Sequence, residues 1–178
     1  MNKFELTENS KTVWGVKLFQ IKALRSFARV EKGDLGGWVE RLENLSQEGN
    51  SWVFDNAWVY GDAVVFGDAW VWGNAVVFGY ARVSDNAKVS GNAKVTGNAV
   101  VLFDARVSDN AKVSDNARVS GHAWVCDNAK VSGNAWVCGN AWVCDNAKVN
   151  GNAKVSDNAR VSGHAKVNGG VLSGRLYG

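Results

Sequence analysis

The chain has 178 residues, with 20 Gly, 9 Trp and no Pro, and its formal net charge is only +3. This length suits one domain, alone or with a small appendage. A charge this small argues against nucleic acid as a partner. The N-terminal residues are charged and polar, and no run approaches the apolar length of a membrane span, so we expect a cytoplasmic protein that does not associate with membranes.

Residues 1–50 form the first segment, which shows no internal repeat. Its stretch from Thr12 to Lys22 has the composition and alternation that are typical of a β-strand. We therefore expect a β-rich capping segment at this end of the chain.

Residues 51–170 read as 20 consecutive six-residue units with Ala at the first position and Val at the third. Residues two apart in a strand point the same way, so Ala and Val form a small inner face. The Asp-Asn or Gly-Asn pair that ends each unit favours a bend, because these residues enter the left-handed region easily. The pattern predicts an all-β, single-stranded parallel β-helix, and residues 171–178 are then its C-terminal cap.

The repeat resembles the hexapeptide repeat of left-handed parallel β-helices, known from trimeric acyltransferases. The segments Val30–Val39 and Asn44–Val53 are similar to the YdcK-like hexapeptide-repeat proteins. This resemblance implies three units per coil of 18 residues and a left-handed winding. The group is only nominally transferase-like, so the resemblance says more about the fold than about the function.

The first five units are apolar at every outward position, which would be an aggregation hazard if nothing covered them. The capping segment 1–50 is the expected cover, and a second copy of the chain is the alternative. These outward residues are Trp52, Phe54, Trp58, Tyr60, Val64, Phe66, Trp70, Trp72, Val76 and Phe78.

One outward column is basic when residues 18 apart are stacked. Its members are Lys94, Lys112, Lys130, Lys148 and Lys166. This column is a candidate binding site for an anionic or acidic partner. The alternative interpretation is that lysine simply keeps a duplicated repeat soluble, and the sequence leaves both open.

A second apolar patch lies late in the array, where Trp124, Trp136 and Trp142 each precede a cysteine by two positions. An exposed aromatic patch with a polar rim usually marks an interface. We therefore predict that these tryptophans bind another copy of the chain, giving a homo-oligomer, or another protein. The thiols of Cys126, Cys138 and Cys144 are expected to be reduced, outward-facing and accessible.

Only two histidines exist, His122 and His164, and they are the only candidates for a catalytic base. Hexapeptide acyltransferases build their clefts from long loops, but these units contain no insertion, so we expect no cofactor. No histidine has a zinc-type spacing from the cysteines, so we expect no metal. The sequence favours a non-catalytic binding or structural module, with an acyltransferase-like enzyme whose site lies between subunits as the alternative.

Overall fold

The computed structural model describes residues 2–178, which are built almost entirely of β-strands. The one helix among them is a 3₁₀ turn, Leu42–Asn44, far too short to cross a membrane. The strands in chain order are β1 (Phe4–Val13), β2 (Val16–Ala23), β3 (Leu35–Val39), β4 (Trp52–Val53), β5 (Trp58–Val59), β6 (Val64–Val65), β7 (Trp70–Val71), β8 (Val76–Val77), β9 (Arg82–Val83), β10 (Lys88–Val89), β11 (Lys94–Val95), β12 (Val100–Val101), β13 (Arg106–Val107), β14 (Lys112–Val113), β15 (Arg118–Val119), β16 (Trp124–Val125), β17 (Lys130–Val131), β18 (Trp136–Val137), β19 (Trp142–Val143), β20 (Lys148–Val149), β21 (Lys154–Val155), β22 (Arg160–Ser162), β23 (Lys166–Val167), β24 (Val171–Leu172) and β25 (Arg175–Tyr177).

The strands form three sheets, and within the repeat array all pairing is parallel, with each strand paired to the third strand after it. For example, β14 pairs with β11 on one side and with β17 on the other, with Lys112 opposite Lys94 and Lys130. Three strands therefore complete one coil, and the predicted single-stranded parallel β-helix is confirmed. It has about eight coils, which span about 34 Å at the usual strand spacing of about 4.8 Å.

The core is a uniform column of the small apolar residues at the first and third positions of each unit. Every alanine from Ala57 to Ala165 and every valine from Val53 to Val167 at these positions is buried. Valine suits a strand because its branched side chain packs well on a pleated surface.

The corners depend on residues that accept positive φ. Asp115 has a φ of 60° and Gly97, one coil below it, a φ of 68°. A Cβ at Gly97 would lie 2.9 Å from the backbone nitrogen of Asp115, so a side chain there would force the backbone to shift. The carboxylate of Asp115 accepts a hydrogen bond from the backbone N–H of Gly133 at 2.9 Å, which ties one coil to the next.

The N-terminal segment is an antiparallel hairpin, β1–β2, that continues through β3 into the solenoid. Strand β3 pairs antiparallel with β2 and parallel with β5, where Trp38 lies opposite Trp58. Leu45 then forms a parallel bridge with Val65, so the first coil begins inside residues 1–50. At the other end, β24 and β25 add parallel strands to β21 and β22. The division into segments 1–50, 51–170 and 171–178 stays a prediction about folding units.

Side chains of the N-terminal segment lie against several early aromatic residues. Trp52 is buried between Phe4 and Phe27, whose ring centroids lie 6.1 and 5.4 Å from its own. Trp14 packs edge-on against Trp58 at 5.7 Å. The cover that the sequence requires for these two tryptophans thus comes from the same chain.

Four residues that directly follow a valine in the array are buried, although their positions face outward from the coil. They are Ser84, Ser120, Cys126 and Ser156. At Ser120 the physical reason is visible, because the indole N–H of Trp136 donates to its hydroxyl at 2.9 Å, so the tryptophan leans back over the coil below. Trp142 follows Cys126 by 16 residues, the same spacing by which Trp136 follows Ser120.

Candidate functional site

The lysine face is the sheet that runs from β11 through β14, β17 and β20 to β23. Its five predicted lysines pair in register from one strand to the next, so their side chains form one straight ladder. All are exposed except Lys94, which is half-buried 6.0 Å from the ring of Trp14. The structure therefore brings together Lys94, Lys112, Lys130, Lys148 and Lys166, as their 18-residue spacing predicts.

Two asparagine ladders border the lysine face at its corners, and the sequence analysis missed them. On one side the amide of Asn92 donates to that of Asn110 at 3.1 Å, and Asn110 donates to Asn128 at 3.3 Å. On the other side the ladder includes Asn116, which donates to Asn134 at 3.0 Å. Stacking the corner asparagines at the same 18-residue spacing would have found them.

The lysine ammonium groups have no carboxylate partner. Within residues 2–178 the close contacts between basic side chains and carboxylates are Arg41 with Asp62 and His122 with Asp104, and neither includes a lysine of this face. The corner aspartates bind backbone instead, as Asp145 does when it accepts from the N–H of Gly163 at 2.8 Å. The result is a groove of about 700 Å³ whose lining holds lysines but no carboxylate, namely Asn110, Lys112, Asn128, Lys130, Asn146, Lys148, His164 and Lys166.

The tryptophan face is the sheet that contains β16 and β19. Trp124 and Trp142 pair in register there, and their rings meet edge to face with centroids 5.2 Å apart. The Arg160 guanidinium lies 4.5 Å from the Trp142 ring. Trp136 lies on the third face, in β18, with the Lys154 ammonium 4.9 Å from its ring. The predicted partner-binding tryptophans thus form a pair and a separate single residue.

The two candidate catalytic histidines lie on different corners. His122 is exposed, and its Nδ1 lies 3.7 Å from a carboxylate oxygen of Asp104. It borders an open groove of about 470 Å³ that also includes Arg106, Trp124 and Trp142. His164 lies at the end of the lysine groove. The structure therefore does not combine the two histidines into one site.

The cysteines are less accessible than the sequence predicts. Cys126 is buried, whereas Cys138 and Cys144 are partly buried. Cys126 and Cys144 occupy adjacent coils, and the interaction between their thiols raises the pKa of Cys126 and lowers that of Cys144. Burial adds to the raised pKa of Cys126 and also raises the pKa of Cys138. The expectation that all three thiols are open to solvent is wrong for Cys126.

Comparison with known proteins agrees with this architecture. Residues 111–127 match the family model described as the YdcK beta solenoid repeat. A stretch of 63 residues is 38% identical to a protein of Escherichia coli (strain K12) named "Uncharacterized acetyltransferase YdcK". That stretch covers 31% of this chain and 19% of the relative, so the match includes about a fifth of the relative's length. Residues 111–127 therefore carry the YdcK-type β-solenoid repeat, within an array that has the solenoid fold its sequence predicts.

Proposed function

We propose that this β-solenoid is a non-catalytic docking module, and that its lysine face binds an extended acidic segment of a partner protein. The observation that carries the proposal is the register of the five lysines, which stand in one ladder without a carboxylate partner. The groove beside the ladder gives a linear ligand a place to lie.

The electrostatics of the ladder favour an anionic ligand. Two ammonium groups about 4.8 Å apart in water repel each other by about 0.9 kcal/mol, and each inner lysine has two such neighbours. An acidic segment would replace this repulsion with attraction. The corner asparagines add neutral amide donors along both sides of the ladder, since each amide uses one N–H for the next rung and retains a second.

The side chains around the lysines favour a polypeptide over a single-stranded nucleic acid. Sites for single strands interleave basic residues with aromatic rings on which the bases stack. The positions beside Lys112 to Lys166 hold serine and asparagine, namely Ser114, Ser132, Asn150 and Asn168. Five lysines span about 19 Å, which about six extended residues would cover.

A fluorescence anisotropy titration with a labelled oligo-glutamate peptide tests the proposal. The variant that combines Lys130→Glu with Lys148→Glu should bind the peptide about ten- to thirtyfold more weakly, because two attractive contacts become repulsive. Binding to the unaltered chain should also weaken as salt is added, since exposed charges are screened.

The matched control combines Arg118→Glu with Arg175→Glu, which change the net charge equally but lie exposed on the other two faces. This control should retain the affinity of the unaltered chain. An equal loss of peptide affinity in both variants would show that only the net charge of the chain matters, and this would overturn the proposal. Tighter binding of a single-stranded oligonucleotide than of the peptide would overturn it as well.

The second candidate is an acetyltransferase, favoured by the similarity to a protein with that name. His122 beside Asp104 would be its base, because a carboxylate can orient an imidazole for proton transfer. The six-residue units contain no inserted loop that could enclose a substrate, which supports the docking module instead. Calorimetric titration with acetyl-coenzyme A separates the two functions. Stoichiometric binding that His122→Ala or His164→Ala abolishes would favour the enzyme.

A further inference from the structure

Three potential metal ligands meet on the tryptophan face. The sulfur atoms of Cys126 and Cys144 and a carboxylate oxygen of Asp127 all lie within 4.8 Å of one another. They come from two adjacent coils, and Cys126 is buried beneath the outer surface. We infer that Cys126, Cys144 and Asp127 form a binding site for a thiophilic divalent cation, with Zn²⁺ as the physiological type.

The geometry fits a bridging cation better than a disulfide. Side chains at matched positions on adjacent parallel strands project side by side, about 4.8 Å apart. A disulfide would need the two Cβ atoms to approach to about 3.5–4.5 Å, slightly closer than this spacing, and both thiols are free. With zinc–sulfur bonds of about 2.3 Å, two sulfurs about 3.8 Å apart can share one tetrahedral ion after small side-chain rotations.

Asp127 is already oriented for this role. One of its carboxylate oxygens accepts a hydrogen bond from the backbone N–H of Asp145 at 3.2 Å, which fixes the carboxylate at the corner. A hydrogen-bonded ligand of this kind loses little freedom when an ion binds. Two sulfurs and one oxygen leave a fourth tetrahedral position for water, and binding of the ion releases the two thiol protons to solvent.

The repeat indicates which substitutions of the two cysteines the fold should tolerate. Ser90, Ser108 and Ser162 occupy the same column as the two cysteines, so serine is already compatible with this position of the fold. Cys126→Ser and Cys144→Ser should therefore fold as the unaltered chain does. Cys138 lies on the third face and has none of these partners, so Cys138→Ser is the matched control.

The reduced full-length chain is titrated with Cd²⁺, whose thiolate charge-transfer absorbance reports sulfur ligation directly, and Zn²⁺ affinity follows from competition with a chromogenic chelator. We expect one ion per chain, loss of the absorbance band in Cys126→Ser and in Cys144→Ser, and an unchanged band in Cys138→Ser. Asp127→Asn should weaken Zn²⁺ binding about ten- to a hundredfold. No band in the unaltered chain, a band lost equally in Cys138→Ser, or oxidation to a Cys126–Cys144 disulfide without ion uptake would overturn the inference.

Discussion

Trp142 stacks edge to face on Trp124, with ring centroids 5.2 Å apart and planes inclined at 72°. This contact follows from the coil length, because strands β16 and β19 are in register and place the two residues one above the other. Trp142 is still 36% exposed, so the pair forms a ridge that solvent reaches. Tryptophan is enriched among the residues that dominate protein interfaces.

The first prediction is that this ridge mediates side-by-side self-association. Combining Trp124→Lys with Trp142→Lys should abolish the oligomer, because truncating one such contact residue costs about 2 kcal/mol or more, roughly 30-fold in affinity. Sedimentation velocity at high micromolar concentration measures the change. Trp136→Lys on the third face is the control and should leave the oligomer intact.

Two sedimentation results would contradict this prediction. A monomeric unaltered chain would mean that the ridge does not join copies. An oligomer that survives the double substitution would indicate assembly through the open last coil, where unpaired backbone groups at a sheet edge can recruit another chain.

The second prediction concerns the inner face. Val113→Asp places an unpaired charge at a position that is 0% exposed, and a buried charge without a partner is very costly. We expect the circular dichroism of the β-solenoid to be lost at room temperature. Lys112→Asp, one residue earlier but exposed, should leave the fold intact. Native-like spectra from both variants would show that Val113 does not face a dry core.

The third prediction uses a corner that departs from the repeat. Phe103 has a φ of 60°, whereas the equivalent corner position one coil below holds Asp85 at 57°. A bulky side chain is disfavoured in this left-handed region, and asparagine tolerates it. Phe103→Asn should therefore raise the free energy of unfolding by about 1 kcal/mol, measured by chemical denaturation. The reciprocal change Asp109→Phe should lower it, and the same sign for both substitutions would refute the argument.

The repeat explains why so much of the fold is predictable from sequence. Alternating alanine and valine specify the inner face, and the 18-residue coil then aligns Lys112 with Lys130 and Trp124 with Trp142. The burial of Cys126 is not predictable in this way, because it depends on how side chains lean between coils. The closeness of Asp127 to the two thiols is not predictable either. It depends on how the side chain of this corner residue is oriented toward Cys126 on its own coil and Cys144 on the next.

The N-terminal segment lacks a repeat, so its contacts come only from the three-dimensional structure. Lys3 is the main example, because its ammonium group is fully buried. It donates to the backbone oxygens of Glu48 and Ser51 at 3.2 and 2.9 Å and to the Ser51 hydroxyl at 3.1 Å. Nothing in the sequence distinguishes this lysine from the exposed ones.

The last prediction follows from the titration of Lys3. Burial first, and then the nearby Arg25 cation, lower its pKa from 10.5 to about 8, while Asp68 acts in the opposite direction. Between pH 8 and 10.5 the unfolded chain therefore binds a proton at this site that the folded chain does not. Stability must rise with pH in this window, by about 1.6 kcal/mol between pH 8 and 9.5, and little of this gain is present below pH 8. Urea unfolding of the unaltered chain and of Lys3→Met at several pH values measures the effect. Lys11, whose pKa burial also lowers, contributes equally to both chains, so the difference between them isolates Lys3. Parallel pH profiles for the two chains would show that Lys3 keeps its proton throughout this range.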